Sequence, residues 1–194
     1  MVQLIAQSEL TGGLLAGGKS RRFGQDKAQQ TYQGETFMQR GICLLESLCD
    51  NVLISANDFN ASSFSESGKK IVIDEYKDMG PLSGIYSLLK ESTTDHLLIL
   101  SCDMPLLTKD ILMKMLPQAH HKIVCWQYPD NKQNPFPMLI DKSCLPIIKQ
   151  MLDNHDLRVK SIFEQCDTEL LKMDTDDIQL FSNINTIEDL NKIV

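Results

Sequence analysis

Apolar residues along the chain fall into short continuous runs separated by stretches of helical periodicity, and the two patterns alternate. Leu14-Leu15-Ala16 reads as the close of a first short strand, Val52–Ser55 as a second and Lys70–Ile73 as a third. Leu97–Leu100 is apolar without alternation, as expected of a strand in a parallel sheet covered on both faces. Between these runs, Met38 to Leu48 sets Ile42, Leu45 and Leu48 on one helical face. Pro81 to Leu89 repeats Leu82, Ile85, Leu88 and Leu89 behind a proline suited to a first helical turn. Further on, Ile111–Leu116, Leu145–Leu152 and Val159–Glu164 read as helices, and Ile123–Trp126 and Met138–Ile140 as strands. Asn185-Thr-Ile-Glu188 opens a last helix with a polar cap and an acidic first turn. The Ser-rich stretch Ala61–Ser67 reads as a surface loop or a weak helix. This alternation predicts an α/β fold, a doubly wound, mostly parallel sheet with helices on both faces.

Length and charge narrow the function. At 194 residues and 42% hydrophobic content the chain can bury one substantial core, so residues 1–194 are expected to form a single domain. Lys plus Arg number 19 against 26 Asp plus Glu, a net charge of −7. That argues against nucleic acid as a partner, which would call for a surplus of cations. Six scattered cysteines without a CxxC pair, and four histidines, give no zinc spacing. The cysteines read as small core residues in a reducing cytoplasm. The first residues lack the pattern of a secretory leader, and no apolar run approaches the roughly 20 residues that span a bilayer. A cytoplasmic protein with no membrane partner is expected.

One segment departs from the acidic average. In Leu14-Leu-Ala-Gly-Gly-Lys-Ser-Arg-Arg-Phe-Gly-Gln-Asp-Lys27, four of the last nine residues are basic: Lys19, Arg21, Arg22 and Lys27. Gly17 and Gly18 follow an apolar strand, where a glycine pair lets the backbone approach a ligand and turn its N–H groups toward it. Cations on such a loop suit a polyphosphate, although the charges alone would also suit a solvated basic turn. Gly13 to Ser20 also matches the P-loop pattern GxxxxGK[ST]. The residues before Gly13 are largely polar, however, where a P-loop needs its strand, and Gly24 interrupts the helix that should follow. The pattern fits and its context does not.

Other strand ends add chemistry. Asn57 follows the Val52 strand and Asp74 the Lys70 strand, with Gly80 and Gly84 flanking Pro81 shortly after. Asp103 follows the most apolar strand, at the carboxyl edge where ligands of such sheets bind. It could ligate Mg²⁺ beside a triphosphate or merely cap the next helix, a task Thr108 could also perform.

Read as strand and loop, the basic segment resembles the signature LAGGxSxRxGxDK of nucleotidyltransferases with a Rossmann-like fold, the nucleotide-diphospho-sugar transferase type. Ser-Ala-Asn57, Gly-Pro-Leu-Ser-Gly84, Cys-Asp-Met-Pro105, Asn134-Pro-Phe-Pro137, Leu157-Arg-Val-Lys160 and Phe181 to Glu188 extend the likeness over nearly the whole chain. Together they resemble the molybdenum cofactor guanylyltransferase branch, the MobA family. Phe23 stands where that family commonly has Met, and the spacing to Lys27 is one residue shorter than in some members. About nine residues precede the first strand and read as a frayed terminus.

The resemblance implies transfer of GMP from GTP to molybdopterin, with Mg²⁺ on Asp103. It implies that residues 10–105 bind GTP and metal and residues 106–194 bind molybdopterin. Leu15, Ala16, Gly17, Gly18, Asn57, Asp74, Gly80, Pro81, Leu82, Gly84 and Asp103 would contact GTP, with the Leu15–Gly17 and Gly80–Gly84 segments at the guanine. Lys27, Arg21 and Arg22 would face the phosphates, and Lys27, Arg22 and Asp103 would act in catalysis. Arg158, Asn183 and Asn185 would meet molybdopterin. Other proteins of cofactor assembly and molybdoenzyme chaperones would be partners. A molybdopterin cytidylyltransferase, a sugar-phosphate nucleotidyltransferase, a P-loop NTPase and a non-catalytic nucleotide sensor are the alternatives.

Overall fold

The computed structural model describes residues 5–18 and 27–193. In chain order the strands and helices are β1 (Leu10–Leu15), β2 (Thr31–Tyr32), β3 (Glu35–Thr36), α1 (Phe37–Glu46), β4 (Asn51–Ala56), β5 (Lys70–Ile73), α2 (Pro81–Glu91), β6 (His96–Ser101), α3 (Lys109–Met113), β7 (Ile123–Gln127), β8 (Gln133–Asp141), α4 (Leu145–Asp153), β9 (Thr168–Lys172) and α5 (Ile187–Asn191). Seven strands form one sheet in the order β5-β4-β1-β6-β8-β7-β9. Every neighbouring pair is parallel except those of β8, which runs antiparallel to β6 and β7. The small β2–β3 hairpin stands apart, and its Tyr32 packs with Phe37 of α1 and with Ile184.

The two faces of the sheet bury separate cores, as the alternation of strand side chains requires. Leu98 and Leu100 of β6 face α1 and α3, packing with Leu45, Ile111 and Leu112. Leu97 and Ile99 face α2 and α4, packing with Leu88, Leu89, Ile148 and Leu152. Strand β1 lies centrally and is buried throughout, although it contains Thr11, Gly12 and Gly13. Thr11 satisfies its hydroxyl against Thr94 at 2.7 Å. A β-carbon on Gly12 would lie 3.0 Å from Leu45 of α1, and one on Gly13 would lie 3.0 Å from Leu88 of α2. Missing side chains therefore let a helix press onto β1 from each face.

That arrangement bears out the rejection of the P-loop and corrects one expectation. β1 begins at Leu10 despite the polar look of residues 7–12, so Gly13 pairs within the sheet with Leu53 and Ile99. A P-loop would require Gly13 in the phosphate cradle, and the strand excludes it. The N-terminal residues 6–9 are not frayed. Gln7–Glu9 form a 3₁₀ turn, Glu9 accepts the Ala6 N–H at 3.1 Å, and Gln7 donates its side-chain amide to the Ser47 carbonyl at 3.2 Å.

Other elements differ in detail. β8 is longer than Met138–Ile140, its first half hidden from a pattern reading by Pro135 and Pro137. β9 was not anticipated, because as an edge strand it buries none of its residues fully. Val159–Glu164 is a 3₁₀ helix rather than an α-helix. Thr108 occupies the N-cap position of α3, so Asp103 is free of that task. Cys49, Cys125 and Cys144 are buried, whereas Cys102 and Cys166 are partly exposed and Cys43 is exposed, so the cysteines are only in part core residues. Among the described residues no helix is long and apolar enough to cross a membrane.

Replacing Gly12 by Val should force Leu45 and α1 away from β1 and cost about 2 kcal/mol, roughly 4–8 °C in melting temperature for a chain of this size. A thermal melt of Gly12→Val checks it. An unchanged midpoint would mean that the tight α1–β1 contact contributes nothing.

Candidate functional site

The four parallel strands β1, β4, β5 and β6 end on one edge of the sheet, and a cleft of about 680 Å³ opens there. Main-chain bonds hold the strand ends in register beyond the strands themselves. Ala16 donates to the Ser55 carbonyl at 3.0 Å, Asp74 to Ala56 at 2.9 Å, and Cys102 to Leu15 at 3.2 Å. Leu15 to Gly18 form the middle of the cleft, with Asn57 to Phe59 and Asp74 to Pro81 on one side. Ser101 to Asp103 and Lys27 lie on the other.

At the β6 end, Asp103 and Lys27 form an ion pair of 3.0 Å, each side chain only 16% exposed. Lys27 also donates to the Asn185 side-chain oxygen at 2.6 Å, and Ser101 donates its hydroxyl to the other Asp103 oxygen at 2.6 Å. The Ile184 N–H closes on the Asp103 carbonyl at 2.8 Å. Residues far apart in sequence thus hold one carboxylate and one ammonium at the mouth of the sheet. Among the described residues no group of three or more His, Cys, Asp or Glu could hold a metal ion. A cation here would have one carboxylate among the described residues and would draw further oxygens from substrate and water, the mode suited to Mg²⁺ with phosphates.

At the β5 end, the Asp74 carboxylate accepts the Ser55 hydroxyl at 2.6 Å. Burial pushes its pKa up from 3.8 to about 6, and the Ser55 bond opposes the rise. A β-carbon on Gly17 would lie 2.7 Å from the second Asp74 oxygen, and one on Gly84 would lie 2.5 Å from the Ser55 hydroxyl. These glycines leave the space in which the carboxylate stands. Gly80 has φ of 66°, a left-handed conformation that turns the chain into Pro81 and α2. Buried Ser83 and Ser87 of α2 accept the N–H groups of Tyr76 and Glu75 at 3.1 and 2.9 Å, fixing the loop that carries Asp74.

The structure brings together Leu15, Ala16, Gly17, Gly18, Lys27, Asn57, Asp74, Gly80, Pro81, Gly84 and Asp103 around this cleft, and it adds Asn185 through Lys27. Asn57 is largely occupied in holding the loops. Its amide donates to the Gly17 carbonyl, and its oxygen accepts from Phe59 and Asn60. Leu82 is not a lining residue, since helical periodicity turns its side chain fully into the core. Arg158 does not line the cleft either. It lies on the surface, 81% exposed, in an ion pair of 3.0 Å with Asp156. Asn183 is exposed two residues before Asn185. Arg21 and Arg22 lie outside the described residues. Ser55, Ser101 and Asn60 were missed. Each is a short polar residue at or just after an apolar strand, which is the only signal the sequence offered.

The family model for the MobA-like NTP transferase domain matches residues 12–170. The chain belongs to that family. Several relatives carry the name "Probable molybdenum cofactor guanylyltransferase", among them the following two. The one from Halalkalibacterium halodurans is 33% identical, over 93% of this chain and 96% of its own length. The one from Geobacillus sp. is 28% identical, over 96% and 99%. The fold of this MobA-like domain matches a crystal structure from Aquifex aeolicus with a TM-score of 0.79 at 24% identity, over 94% of this chain and 96% of that one. Molybdopterin-guanine dinucleotide biosynthesis protein A from Archaeoglobus fulgidus gives a TM-score of 0.78 at 18% identity, with the same coverage. The MobA-like chain is thus a nucleotidyltransferase built on a mostly parallel seven-stranded sheet.

The raised pKa of Asp74 makes stability depend on pH. The folded state prefers the neutral carboxyl, so its contribution is full below pH 3.8 and is lost as pH rises through about 6. Asp74→Asn should therefore melt higher than the parent at pH 8, by about 1 kcal/mol after allowance for solvent screening, or roughly 2–4 °C. The difference should vanish near pH 4. Melts across that range check the sign, and a variant that melts lower at pH 8 would contradict it.

Proposed function

We propose that this protein transfers GMP from GTP to molybdopterin, or to molybdenum-loaded molybdopterin, releasing pyrophosphate and forming the guanine dinucleotide cofactor. The observation that carries the reading is the division of one cleft between the Lys27–Asp103 pair at the end of β6 and the half-buried Asp74 carboxylate at the end of β5. Strands β5 and β6 are three spacings apart, about 14 Å, a span suited to a nucleotide lying across the strand ends. The names of the full-length relatives support the same reading.

Guanine presents N1–H and a 2-amino group side by side, two donors that an ionised carboxylate can accept together. Asp74 takes that edge, with Leu15, Ala16 and Gly17 on one wall and Gly80, Pro81 and Gly84 on the other. Leu82 supports the turn from beneath, and Gly18 and Asn57 line the path toward the phosphates. Lys27, with Arg21 and Arg22, offsets the triphosphate charge. Asp103 holds the divalent cation, taken as Mg²⁺. When bound, the cation neutralises phosphate oxygens and the leaving pyrophosphate.

The acceptor is a phosphate monoester, already ionised near neutral pH, so the transfer calls for no general base. One of its oxygens forms a bond to the α-phosphorus of GTP as the bond to the bridging oxygen of pyrophosphate breaks. The chain's own part is to position two anions and hold countercharge beside them. Lys27 must turn from Asp103 and Asn185 toward phosphate as substrate enters. Molybdopterin approaches from residues 106–194, with Asn185 nearest the reacting end. Asn183 lies beside it, and Arg158 is available if it exchanges Asp156 for a phosphate. The protein acts in the cytoplasm, where its six free thiols stay reduced, and passes its product to other cofactor-assembly proteins or molybdoenzyme chaperones.

Thermal shifts with Mg²⁺ and equal concentrations of GTP, CTP or ATP test the base preference, since a ligand of the native state raises the melting temperature. GTP should give the largest shift, whereas a larger shift with CTP would move the protein to the cytidylyl branch. In the transfer assay, Asp103→Ala should lower the rate by about 100-fold or more with the fold intact. Lys27→Ala should cost more activity than Lys19→Ala. Retained activity in Asp103→Ala would remove that residue from the metal role.

A further inference from the structure

Phe59 stands apart from the other apolar side chains of the molecule. It is 85% exposed, more than any other large hydrophobic residue described, and it is the only one of those exposed residues that lines the cleft. Single exposed apolar residues are ordinary on protein surfaces. What distinguishes this one is how firmly its backbone is held. The Phe59 N–H donates to the Asn57 side-chain oxygen at 2.9 Å, and that oxygen also accepts the Asn60 N–H at 3.1 Å. The Asn57 amide reaches the Gly17 carbonyl, and the Asn60 amide reaches the Ala16 carbonyl at 2.8 Å. Neighbouring Asp58 pairs with Lys77 at 2.6 Å, linking the turn to the loop after β5.

Gly17 is where this turn and the Asp74 carboxylate meet. A β-carbon there would lie 2.7 Å from Asp74 and 3.5 Å from the Asn57 backbone nitrogen. A planar ring with its edge on Asp74 would therefore lie beside the turn that carries Phe59. The other aromatic residue in the cleft's described lining is already engaged. Tyr76 donates its hydroxyl to Asp153 at 2.9 Å and sets its ring edge-on to Tyr86, with centroids 5.3 Å apart. Among the described residues the Phe59 ring makes no such aromatic contact.

We propose that Phe59 is a nucleotide-binding residue whose ring stacks on the base held at Asp74. The inference rests on the reading that the nucleobase occupies that end of the cleft. Stacking is indifferent to the identity of the base, because every base has a π face. Phe59 then sets how tightly a nucleotide is held, whereas Asp74 sets which one.

The test compares the parent with Phe59→Ala, Phe59→Leu and Phe59→Trp, using Mg²⁺ and GTP in isothermal titration and steady-state assays. Phe59→Ala should weaken GTP binding and raise its KM by about tenfold, within the range of about 5- to 150-fold for a lost base stack. The rate at saturating GTP should be unchanged, as for an interaction equal in ground and transition states. Phe59→Leu should be nearly as weak, and Phe59→Trp should restore affinity. The preference for GTP over ITP should survive in all three and fall in Asp74→Asn. In Phe59→Trp, GTP should quench the fluorescence of the introduced indole, and the one native tryptophan, Trp126, is buried. Equal GTP affinity in the parent and Phe59→Ala, or full rescue by Leu, would overturn the stack while leaving the GTP reading standing. So would an effect confined to the KM of the pterin acceptor. A parent that binds no GTP would overturn the reading itself, and the stack with it.

Discussion

Helices α1 and α2 press onto the central strand at the two positions where it carries no side chain, Leu45 over Gly12 and Leu88 over Gly13. Much else follows from that contact. Because the helices sit close, β1 can be central and fully buried, and its end delivers Leu15 to Gly18 to the middle of the cleft rather than to a rim. The same closeness seats Gly84 of α2 against Ser55 and Leu15, and Ser55 in turn anchors Asp74. Interiors pack densely and have few soft directions, so a shift of a few tenths of an ångström at the glycines would be passed to the carboxylate.

Among the described residues the lining of the cleft carries more acids than bases. Its described lining contains Asp58, Asp74, Asp78 and Asp103 against Lys27 and Lys77, in a chain of net charge −7. Left alone, such a lining would repel a triphosphate. Asp58 is matched by Lys77 and Asp103 by Lys27, and Asp74 is an acid whose charge burial disfavours. A bound cation and the basic residues of the glycine loop would have to reverse the sign locally. An acidic described lining and a divalent ion would then act together, since without the ion the described residues would resist loose anions.

The parallel half of the fold was legible because its strands are continuous apolar runs and its helices have clean faces. Leu97–Leu100 and Pro81–Leu89 are instances, and both lie within one or two residues of the observed elements. β1 was only half legible, since Thr11, Gly12 and Gly13 carry no apolar pattern and their reason for being in a strand lies in helices far along the chain. β8 and β9 were obscured by prolines and by edge exposure. In the site, the residue types that make turns or charges stood out, and their convergence could be argued from the shared strand edge. What could not be read was which polar atoms answer one another. Nothing local in the sequence says that Ser55 meets Asp74, that Lys27 bridges Asp103 and Asn185, or that Arg158 is spent on Asp156.

The bond from Lys27 to Asn185 joins positions 158 apart, and the Ile184 N–H beside it holds the Asp103 carbonyl. Loop closure over such a distance is entropically slow, so contacts of this kind form late in folding. During synthesis, the sheet formed by β1, β4, β5 and β6 can be complete while residues 184 and 185 are still to be added. A nascent chain would then own the β5 end of the cleft before the Lys27–Asp103 end was finished. The order of assembly is written into the topology: residues 184 and 185 are made well after the four parallel strands and complete the Lys27–Asp103 end of the cleft.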